Sequence, residues 1–202
     1  MSGFISIAGN VGSGKSTLIR LLRNETGWPV SHENYKDSPY LADCLRDKQL
    51  WSFHSQIWFL NDYLKGHLEA DSFNGIALQE RSVYEGMEVF TRNFYESDYM
   101  EKREWETIHQ LYQTILPLVQ PPKLIIYLEG SPEFLHKRIS SRGRGFETPI
   151  DQEYLGNLNG LYDSWLKSWQ ASPVLRLNAA NFDFRSNPGD VEFVINEIQS
   201  SL

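Results

Sequence analysis

The sequence contains one cysteine and no long apolar run, and both shortages exclude whole classes of protein. Cys44 alone cannot form an internal disulfide or a cysteine-only metal site, so a reducing compartment is expected, with the cytosol as the default. No run approaches the roughly 18 apolar residues of a membrane span, so no membrane partner is expected. A strand that starts by Gly3 or Phe4 would leave no room for a signal peptide, which predicts a cytoplasmic chain or one whose leader was removed.

Positive charge is scarce relative to negative charge. The 19 Lys and Arg residues face 26 Asp and Glu residues, which gives a formal net charge of −7. Because no strong basic field surrounds the chain, nucleic acid is not expected as its main partner. Hydrophobic residues make up 41% and aromatic residues 13% of the 202 positions, which excludes a disordered chain. This composition predicts one globular domain over residues 1–202.

Short apolar segments that alternate with longer amphipathic ones predict strands and helices. Strands are expected at residues 4–8, 28–32, 75–78, 123–128 and 173–177. Helices are expected after the first glycine-rich loop and at 39–48, 51–70, 82–96, 98–119, 132–141, 151–170 and 189–200. Asp98 and Ser131 are the predicted start signals of two of these helices. The alternation predicts an α/β fold, with a five-stranded parallel sheet covered by helices on both faces.

A glycine-rich loop at residues 9–17 is the strongest functional signal. It fits the pattern G-x-x-x-x-G-K-[ST] of a P-loop and lies between a predicted strand and a predicted helix. Its residues are Gly9, Asn10, Val11, Gly12, Ser13, Gly14, Lys15, Ser16 and Thr17. The glycines let backbone N–H groups turn towards phosphate oxygens, Lys15 bridges the outer phosphates, and Ser16 can ligate Mg²⁺. The loop therefore predicts a site for a nucleoside triphosphate such as ATP.

Charged residues follow the second and third predicted strands. Glu33 follows the second strand, and Glu80 and Arg81 follow the third. Because the carboxyl ends of parallel strands share one edge of a sheet, these side chains are expected near the P-loop. A carboxylate there would repel a substrate phosphate but can take the proton of a hydroxyl as the γ-phosphoryl group arrives. The acceptor is therefore expected to be an alcohol, although Glu80 to Ser82 would also fit an ordinary capped helix start.

A charged, glycine-interrupted segment at about 138–149 predicts a lid. Arg138, Arg142 and Arg144 leave a predicted helix and could converge on triphosphate oxygens when the lid closes. The same arginines would also fit an ordinary basic helix end. The motifs D-x-x-G and N-K-x-D are absent from the sequence, which disfavours a guanine-nucleotide switch protein.

Taken in order, the motifs resemble those of the deoxyribonucleoside kinase family over nearly the whole chain. The matching segments are the P-loop, Glu33 ahead of Ser-Pro-Tyr-Leu at 38–41, and the segments at 51–56, 80–84, 93–97 and 138–144. The resemblance implies an enzyme of nucleotide salvage that transfers the γ-phosphoryl group of ATP, with Mg²⁺, to the 5′-hydroxyl of a 2′-deoxynucleoside. It also suggests a homodimer through the aromatic-rich helices at 51–64 and 98–119, which could equally be core.

The same resemblance implies individual roles in catalysis. Glu33 would be the base on the 5′-hydroxyl, Arg81 would orient that hydroxyl, and Glu80 would support Mg²⁺ together with Ser16. The implied catalytic residues are Glu33, Arg81, Lys15 and Arg142. The implied phosphate-binding residues of the lid are Arg138, Arg142 and Arg144.

Recognition of the nucleoside is implied for three further side chains. Gln56 would read the base edge through its amide, Phe90 would stack on the base, and Glu147 would contact the 3′-hydroxyl. An amide offers a paired donor and acceptor, and an aromatic face suits a nucleobase. Without the resemblance, Gln56 and Phe90 would be read as part of a buried helix face.

Four positions depart from the family pattern. Asn34 follows Glu33 where the family usually has proline, and Leu45 stands where many members have a tyrosine that contacts the sugar. Gly86 replaces an aspartate and Tyr63 an arginine of members that prefer purines or deoxycytidine. Gly86 is therefore expected to leave a neutral space beside Gln56, which predicts weak discrimination against thymidine.

Two other functions remain open at this point. A nucleoside monophosphate kinase would need a second cluster of phosphate-binding residues and would ignore free nucleosides. A P-loop regulatory module would bind nucleotide without turnover that depends on an acceptor.

Overall fold

A parallel sheet forms the centre of the computed structural model, which describes residues 3–144, 150–184 and 186–202. Its five strands are β1 (Gly3–Gly9), β2 (Val30–Ser31), β3 (Ile76–Glu80), β4 (Leu124–Glu129) and β5 (Val174–Asn178). They lie in the order β2-β3-β1-β4-β5, and every neighbouring pair is parallel. The predicted sheet is confirmed, although β2 keeps only two of its five predicted residues.

Helices cover both faces of this single-domain sheet, as predicted. They are α1 (Lys15–Thr26), α2 (Leu41–Arg46), α3 (Lys48–Ser72), α4 (Val83–Glu85), α5 (Arg92–Glu96), α6 (Lys102–Ile115), α7 (Pro132–Arg142), α8 (Gln152–Ser168) and α9 (Pro188–Ser201). Short 3₁₀ turns occupy Tyr35–Asp37, Leu116–Leu118 and Ala179–Asn181. In the part of the chain that the structure describes, no helix is long and apolar enough to cross a membrane.

The alternating side chains of β4 show how the sheet divides the core. Leu124, Ile126 and Leu128 point to one face, where they pack with apolar residues of α1 and α9. Ile125 and Tyr127 point to the other face, where they join the larger cluster contributed by α3, α6 and α8. Successive side chains of a strand face opposite sides, so a strand buried on both sides is a continuous apolar run. This is why residues 123–128 gave the clearest strand signal.

Two helix starts differ by three or more residues from the predicted ones. The helix predicted from Asp98 begins at Lys102, because Glu101 and Glu104 form the capping box, while Asp98 has a left-handed φ of 58° in the preceding turn. The helix predicted from residue 51 begins at Lys48, because the side chain of Asp47 accepts a hydrogen bond from the backbone N–H of Leu50.

A wide π-helical turn, Gly86–Thr91, interrupts the helix predicted at 82–96. The hydroxyl of Thr91 lies 3.0 Å from the carbonyl oxygen of Gly86, five residues earlier. Such turns are rare and often lie at functional sites, because the extra residue redirects the side chains of one helical turn. Here the turn packs against α3 and α8 and presents Phe90 to the end of the sheet where the P-loop lies.

Candidate active site

The P-loop joins β1 to α1, and two of its glycines pack closely against α7. Gly12 and Gly14 have positive φ values of 84° and 105°, and a Cβ atom on Gly12 would lie 2.9 Å from the carbonyl oxygen of Leu135. The Nζ of Lys15 donates hydrogen bonds to the carbonyl oxygens of Gly9 at 2.6 Å and Asn10 at 3.1 Å. Burial, helped by the charge of Arg81, lowers the pKa of Lys15 to about 8. A phosphate in the loop would add an anionic partner for this buried ammonium group.

Helix α8 holds the P-loop through a contact that the sequence did not indicate. The Nδ2 of Asn10 donates to the carbonyl oxygen of Leu155 at 2.9 Å and to Oδ1 of Asn159 at 2.8 Å. Asn159 in turn donates to the carbonyl oxygen of Gly130, directly after β4. The two bonds from Asn10 span 145 and 149 positions of sequence, so no local pattern could have predicted them.

Arg81 lies at the centre of the site, immediately after β3. Its φ of 66° is unusual for a residue other than glycine and turns the side chain back over the sheet edge. The guanidinium group, only 4% exposed, lies 4.0 Å from the ring centre of Phe90. Its Nε is 3.1 Å from Oε1 of Glu33 and its Nη1 is 3.4 Å from Oε1 of Glu85. Burial lowers the pKa of Arg81, but the two carboxylates outweigh it and keep the group charged.

Glu85 is a buried carboxylate whose importance sequence reasoning missed. Its Oε1 accepts hydrogen bonds from the backbone N–H of Gly9 at 3.2 Å and from the hydroxyl of Tyr162. Burial raises the pKa of Glu85, against the opposing effect of Arg81 and Lys15. The spacing of four residues between Arg81 and Glu85, across the helix start capped by Ser82, was the available signal. Glu85 therefore links the guanidinium group to the first residue of the P-loop.

Ser16 and Glu80 form a pair of oxygen donors at the P-loop. The hydroxyl of Ser16 donates to Oε1 of Glu80 at 2.6 Å, and Nδ1 of His32 lies 3.3 Å from Oε2. Burial raises the pKa of Glu80, but hydrogen bonds from His32 and Ser16 and the charge of Lys15 outweigh it and hold the pKa below its usual range. A hydroxyl beside an ionised carboxylate suits Mg²⁺, which in nucleotide sites takes few protein ligands and completes its shell with phosphate and water. Among the described residues, no cluster of three or more His, Cys, Asp or Glu could hold a metal ion.

Two adjoining cavities meet at the P-loop. The first, which we call the acceptor cavity, has a volume of about 150 Å³, and its lining includes six residues predicted on the nucleoside side: Glu33, Leu45, Gln56, Tyr63, Arg81 and Phe90. The second, the donor cavity, has a volume of about 640 Å³ and contains Gly12, Gly14, Lys15, Ser16, Thr17, Arg138, Arg142 and Arg144. The residues common to both are Gly12, Lys15, Ser16, Arg142 and Arg144. The side chains of Lys15, Arg142 and Arg144 and the hydroxyl of Ser16 can thus reach groups bound in either cavity.

Several features of the cavities escaped sequence reasoning. Aromatic side chains of Phe59, Phe94 and Tyr154 line the acceptor cavity, although in the sequence they are indistinguishable from core residues. The loop at 179–184 after β5 closes the donor cavity. Of the predicted lid, the structure describes residues 138–144, whereas Glu147 lies outside the described residues.

The expectation of a neutral space at Gly86 is wrong. The ring of Tyr63 occupies that space, since a Cβ atom on Gly86 would lie 2.6 Å from its Cδ2 and Cε2 atoms. Gly86 is covered by this ring and is not part of the cavity lining, whereas Tyr63 is. Neither of the two carboxylates near Gly86 lines the cavity. Glu85 accepts a hydrogen bond from the P-loop, and Glu88 pairs with Arg92 at 2.8 Å.

Gln56 is the predicted base reader, and its amide is anchored at one end. It is 5% exposed, and its Oε1 lies 3.0 Å from the hydroxyl of Thr91, in the π-helical turn. The same hydroxyl lies 3.0 Å from the carbonyl oxygen of Gly86. The turn that carries Phe90 thus also sets the position of the Gln56 amide at the cavity wall.

Comparison with known proteins gives a consistent result. A family model described as "Deoxynucleoside kinase" matches residues 5–202. The chain is 32% identical to a deoxyadenosine/deoxycytidine kinase of Bacillus subtilis, over 100% of this chain and 94% of that protein. It is 32% identical to a deoxyadenosine kinase of Dictyostelium discoideum, over 88% of this chain and 73% of that protein. A solved structure of deoxyadenosine kinase from M. mycoides, with products dCMP and a flexible dCDP bound, matches with a TM-score of 0.86 at 25% identity, over 98% of this chain and 99% of that one.

The geometry around Glu85 predicts a large effect on stability. In Glu85→Gln, the buried guanidinium group of Arg81 loses one of its two carboxylates, and the free energy of unfolding should fall by about 3 kcal/mol. The matched control is Glu88→Gln, which breaks a half-exposed pair with Arg92 and should cost at most about 1 kcal/mol. Urea unfolding of both variants measures the difference. Equal losses would show that the buried pair contributes no more than the surface pair.

Proposed function

The chain belongs to the deoxynucleoside kinase family and is an ATP-dependent deoxynucleoside kinase, and we propose that its acceptor cavity binds a 2′-deoxynucleoside with the 5′-hydroxyl at Glu33. ATP would lie in the donor cavity with its γ-phosphate at Lys15. The observation that carries this assignment is the junction of the two cavities, where Lys15 and Arg142 line both. The donor cavity is the larger one, in keeping with a nucleotide that carries three phosphates.

Glu33 would act as the general base. As the 5′-oxygen forms its bond to the γ-phosphorus, the bond from that phosphorus to the β,γ-bridging oxygen breaks and ADP leaves. The proton of the hydroxyl passes to the carboxylate of Glu33, which Arg81 holds at the sheet edge at 3.1 Å. Lys15, Arg142 and Arg144 would stabilise the charge that moves across the γ-phosphoryl oxygens. The protein supplies mostly position and charge for this reaction, as phosphoryl transfer requires.

Ser16 and Glu80 would hold Mg²⁺ together with the phosphates of ATP. Their oxygens lie 2.6 Å apart, and the low pKa of Glu80 keeps its carboxylate charged. When bound, the ion neutralises phosphate charge and fixes the phosphates for transfer.

The substrate is proposed to be a free deoxynucleoside, with deoxyadenosine and deoxycytidine first, because two relatives at 32% identity are named deoxyadenosine/deoxycytidine kinase and deoxyadenosine kinase. A nucleoside monophosphate would bring a second dianion beside Glu33. Among the described residues, Arg81 is the one cation that lines the acceptor cavity and not the donor cavity. Its charge is already paired with two carboxylates. This arrangement supports an uncharged acceptor.

A homodimer that works in the cytosol is proposed as well. Exposed leucines on α3 and α6, Leu68 at 55% and Leu111 at 43%, lie on helices that contact each other, and Leu118 beyond α6 is 77% exposed. These side chains would form one apolar face for a second copy of the chain. The single cysteine, Cys44, is buried and reduced, which suits a reducing compartment.

The substrate class is tested by ATP consumption against the four deoxynucleosides, their ribose counterparts and the corresponding monophosphates. Turnover is expected with free deoxynucleosides, deoxyadenosine and deoxycytidine among them, and not with monophosphates as acceptors. Consumption with monophosphates alone would identify a nucleoside monophosphate kinase. ATP binding without consumption in any arm would identify a regulatory module.

The role of Glu33 is tested by Glu33→Gln. This variant keeps the size of the side chain but removes the base, so kcat should fall roughly 10²- to 10⁴-fold while ATP affinity stays unchanged. Glu69→Gln, an exposed residue on α3, changes the net charge equally and should leave kcat as it is. Steady-state kinetics with saturating ATP measure both. A Glu33→Gln enzyme with near-normal kcat would remove this carboxylate from the mechanism.

The proposed lid is tested by Arg142→Ala and Arg144→Ala. Both residues line both cavities, so each variant should lose about 10²-fold in kcat and much less in ATP affinity measured without acceptor. Lys137→Ala removes an exposed cation from the same helix, outside both cavities, and serves as the control. If kcat and ATP affinity fell equally, the two arginines would be simple anchors for ATP.

A further inference from the structure

Tyr63 lines the acceptor cavity, and the residues around it fix the position of its ring. The residue is 5% exposed, and its ring stacks on Phe59 with centroids 5.7 Å apart and planes inclined by 25°. Its carbonyl oxygen accepts a hydrogen bond from Nε2 of Gln79 at 3.0 Å. The opposite side of the ring lies on Gly86, where even one methyl group would come within 2.6 Å. Only glycine at position 86 permits this position of the ring.

The phenol of Tyr63 forms a hydrogen bond with Glu33. Its hydroxyl donates to Oε1 of Glu33 at 2.8 Å, the same oxygen that lies 3.1 Å from Nε of Arg81. Burial and the negative charge of Glu33 raise the pKa of Tyr63 well above its usual range, so the phenol keeps its proton and acts as the donor. Among the residues that the structure describes, none donates a hydrogen bond to Oε2 of Glu33. That oxygen is left to receive the proton of the acceptor hydroxyl.

The residue before Tyr63 holds the residue after Glu33. The carboxylate of Asp62 accepts from the backbone N–H of Asn34 at 3.1 Å and from its Nδ2 at 2.9 Å. Two successive residues of α3 therefore hold two successive residues of the loop that carries the base. This loop follows a strand of only two residues, so contacts from outside the sheet contribute to its position.

We propose that Asp62 and Tyr63 form a clamp on α3 that orients Glu33, with Tyr63 as a positioning residue and Gly86 as the residue that admits its ring. The inference rests on the proposed role of Glu33 as the base. It also assigns positions 63 and 86 to orientation of the carboxylate rather than to recognition of the nucleobase. The one polar atom of the Tyr63 side chain already bonds Glu33, and Gly86 has no side chain.

Tyr63→Phe removes the hydroxyl and keeps the ring against Gly86 and Phe59. We expect kcat to fall about 10-fold, with KM for the deoxynucleoside within about twofold of wild type. The ratios of kcat/KM between accepted deoxynucleosides should stay the same, because the phenol does not read the base. Tyr112→Phe makes the same change in the same core, outside both cavities, and should keep normal kinetics. A normal kcat in Tyr63→Phe, a loss confined to KM, or a changed base preference would each overturn the proposal.

Gly86→Ala tests whether the ring needs the glycine. The added methyl group should displace the ring and lower kcat by a factor similar to that of Tyr63→Phe, but it should lower kcat no further in a Tyr63→Phe background. Losses that multiply in the double variant would show that Gly86 acts independently of the phenol, against the proposal. Thermal unfolding confirms that each variant is folded. If Gly86→Ala does not fold, the Tyr63→Phe result decides.

The second half of the clamp is tested by Asp62→Ala, which releases Asn34. We expect kcat to fall severalfold with KM for ATP unchanged, whereas Asp71→Ala, an exposed aspartate on the same helix, should be normal. Normal kcat in Asp62→Ala would overturn this half of the clamp.

Glu33→Gln separates failure of this inference from failure of the proposed function. If Glu33→Gln keeps a normal kcat, the proposed base is wrong whatever Tyr63 does. If Glu33→Gln is nearly inactive while Tyr63→Phe is normal, the proposed function stands and the clamp alone is refuted. The clamp is supported if Tyr63→Phe lowers kcat in the wild-type background and has no further effect in Glu33→Gln.

Discussion

The buried guanidinium group of Arg81 is the feature on which the rest of the site depends. A charge that is 4% exposed is costly unless it is paired, and Arg81 is paired on two sides, with Glu33 and with Glu85. Glu33 belongs to the acceptor cavity, and Glu85 accepts a hydrogen bond from the P-loop at Gly9. One side chain thereby connects the acceptor cavity to the P-loop.

Charge balance around Arg81 explains why further cations are needed. Two buried cations, Lys15 and Arg81, lie among three carboxylates, Glu33, Glu80 and Glu85, so their charge already has negative partners before a nucleotide arrives. A triphosphate would add several negative charges to this cluster. The compensating charge has to come from outside the centre, and the arginines of α7 and of the segment that follows it line the donor cavity on that side. Ser16, a proposed ligand of Mg²⁺, lines both cavities, and its hydrogen-bond partner Glu80 lines the acceptor cavity.

The pair of Tyr63 and Gly86 shows how two departures from a family pattern can depend on each other. Considered singly, Gly86 indicated empty space, and Tyr63 indicated the loss of the arginine that some family members have there. In the folded protein the glycine makes room for the ring, and the ring carries a hydroxyl to Glu33. Asn34, in place of the usual proline, is likewise held by Asp62 from the same helix. The loop that bears Glu33, the proposed base, is therefore positioned by α3 as well as by the sheet.

The sequence by itself determined the sheet, the P-loop and the placement of Glu33 and Arg81 near it. These features follow from local rules: strands buried on both faces form apolar runs, a phosphate loop needs glycines at set intervals, and parallel strands end at one edge. Only the tertiary structure decided which groups those residues meet. The contacts of Glu85 with Gly9 and of Asn10 with Asn159 join residues 76 and 149 positions apart, and the ring of Tyr63 fills the space above Gly86. Side-chain period shows which face of a helix is buried, but the neighbour on that face is set by how the helices pack, and no local spacing records it.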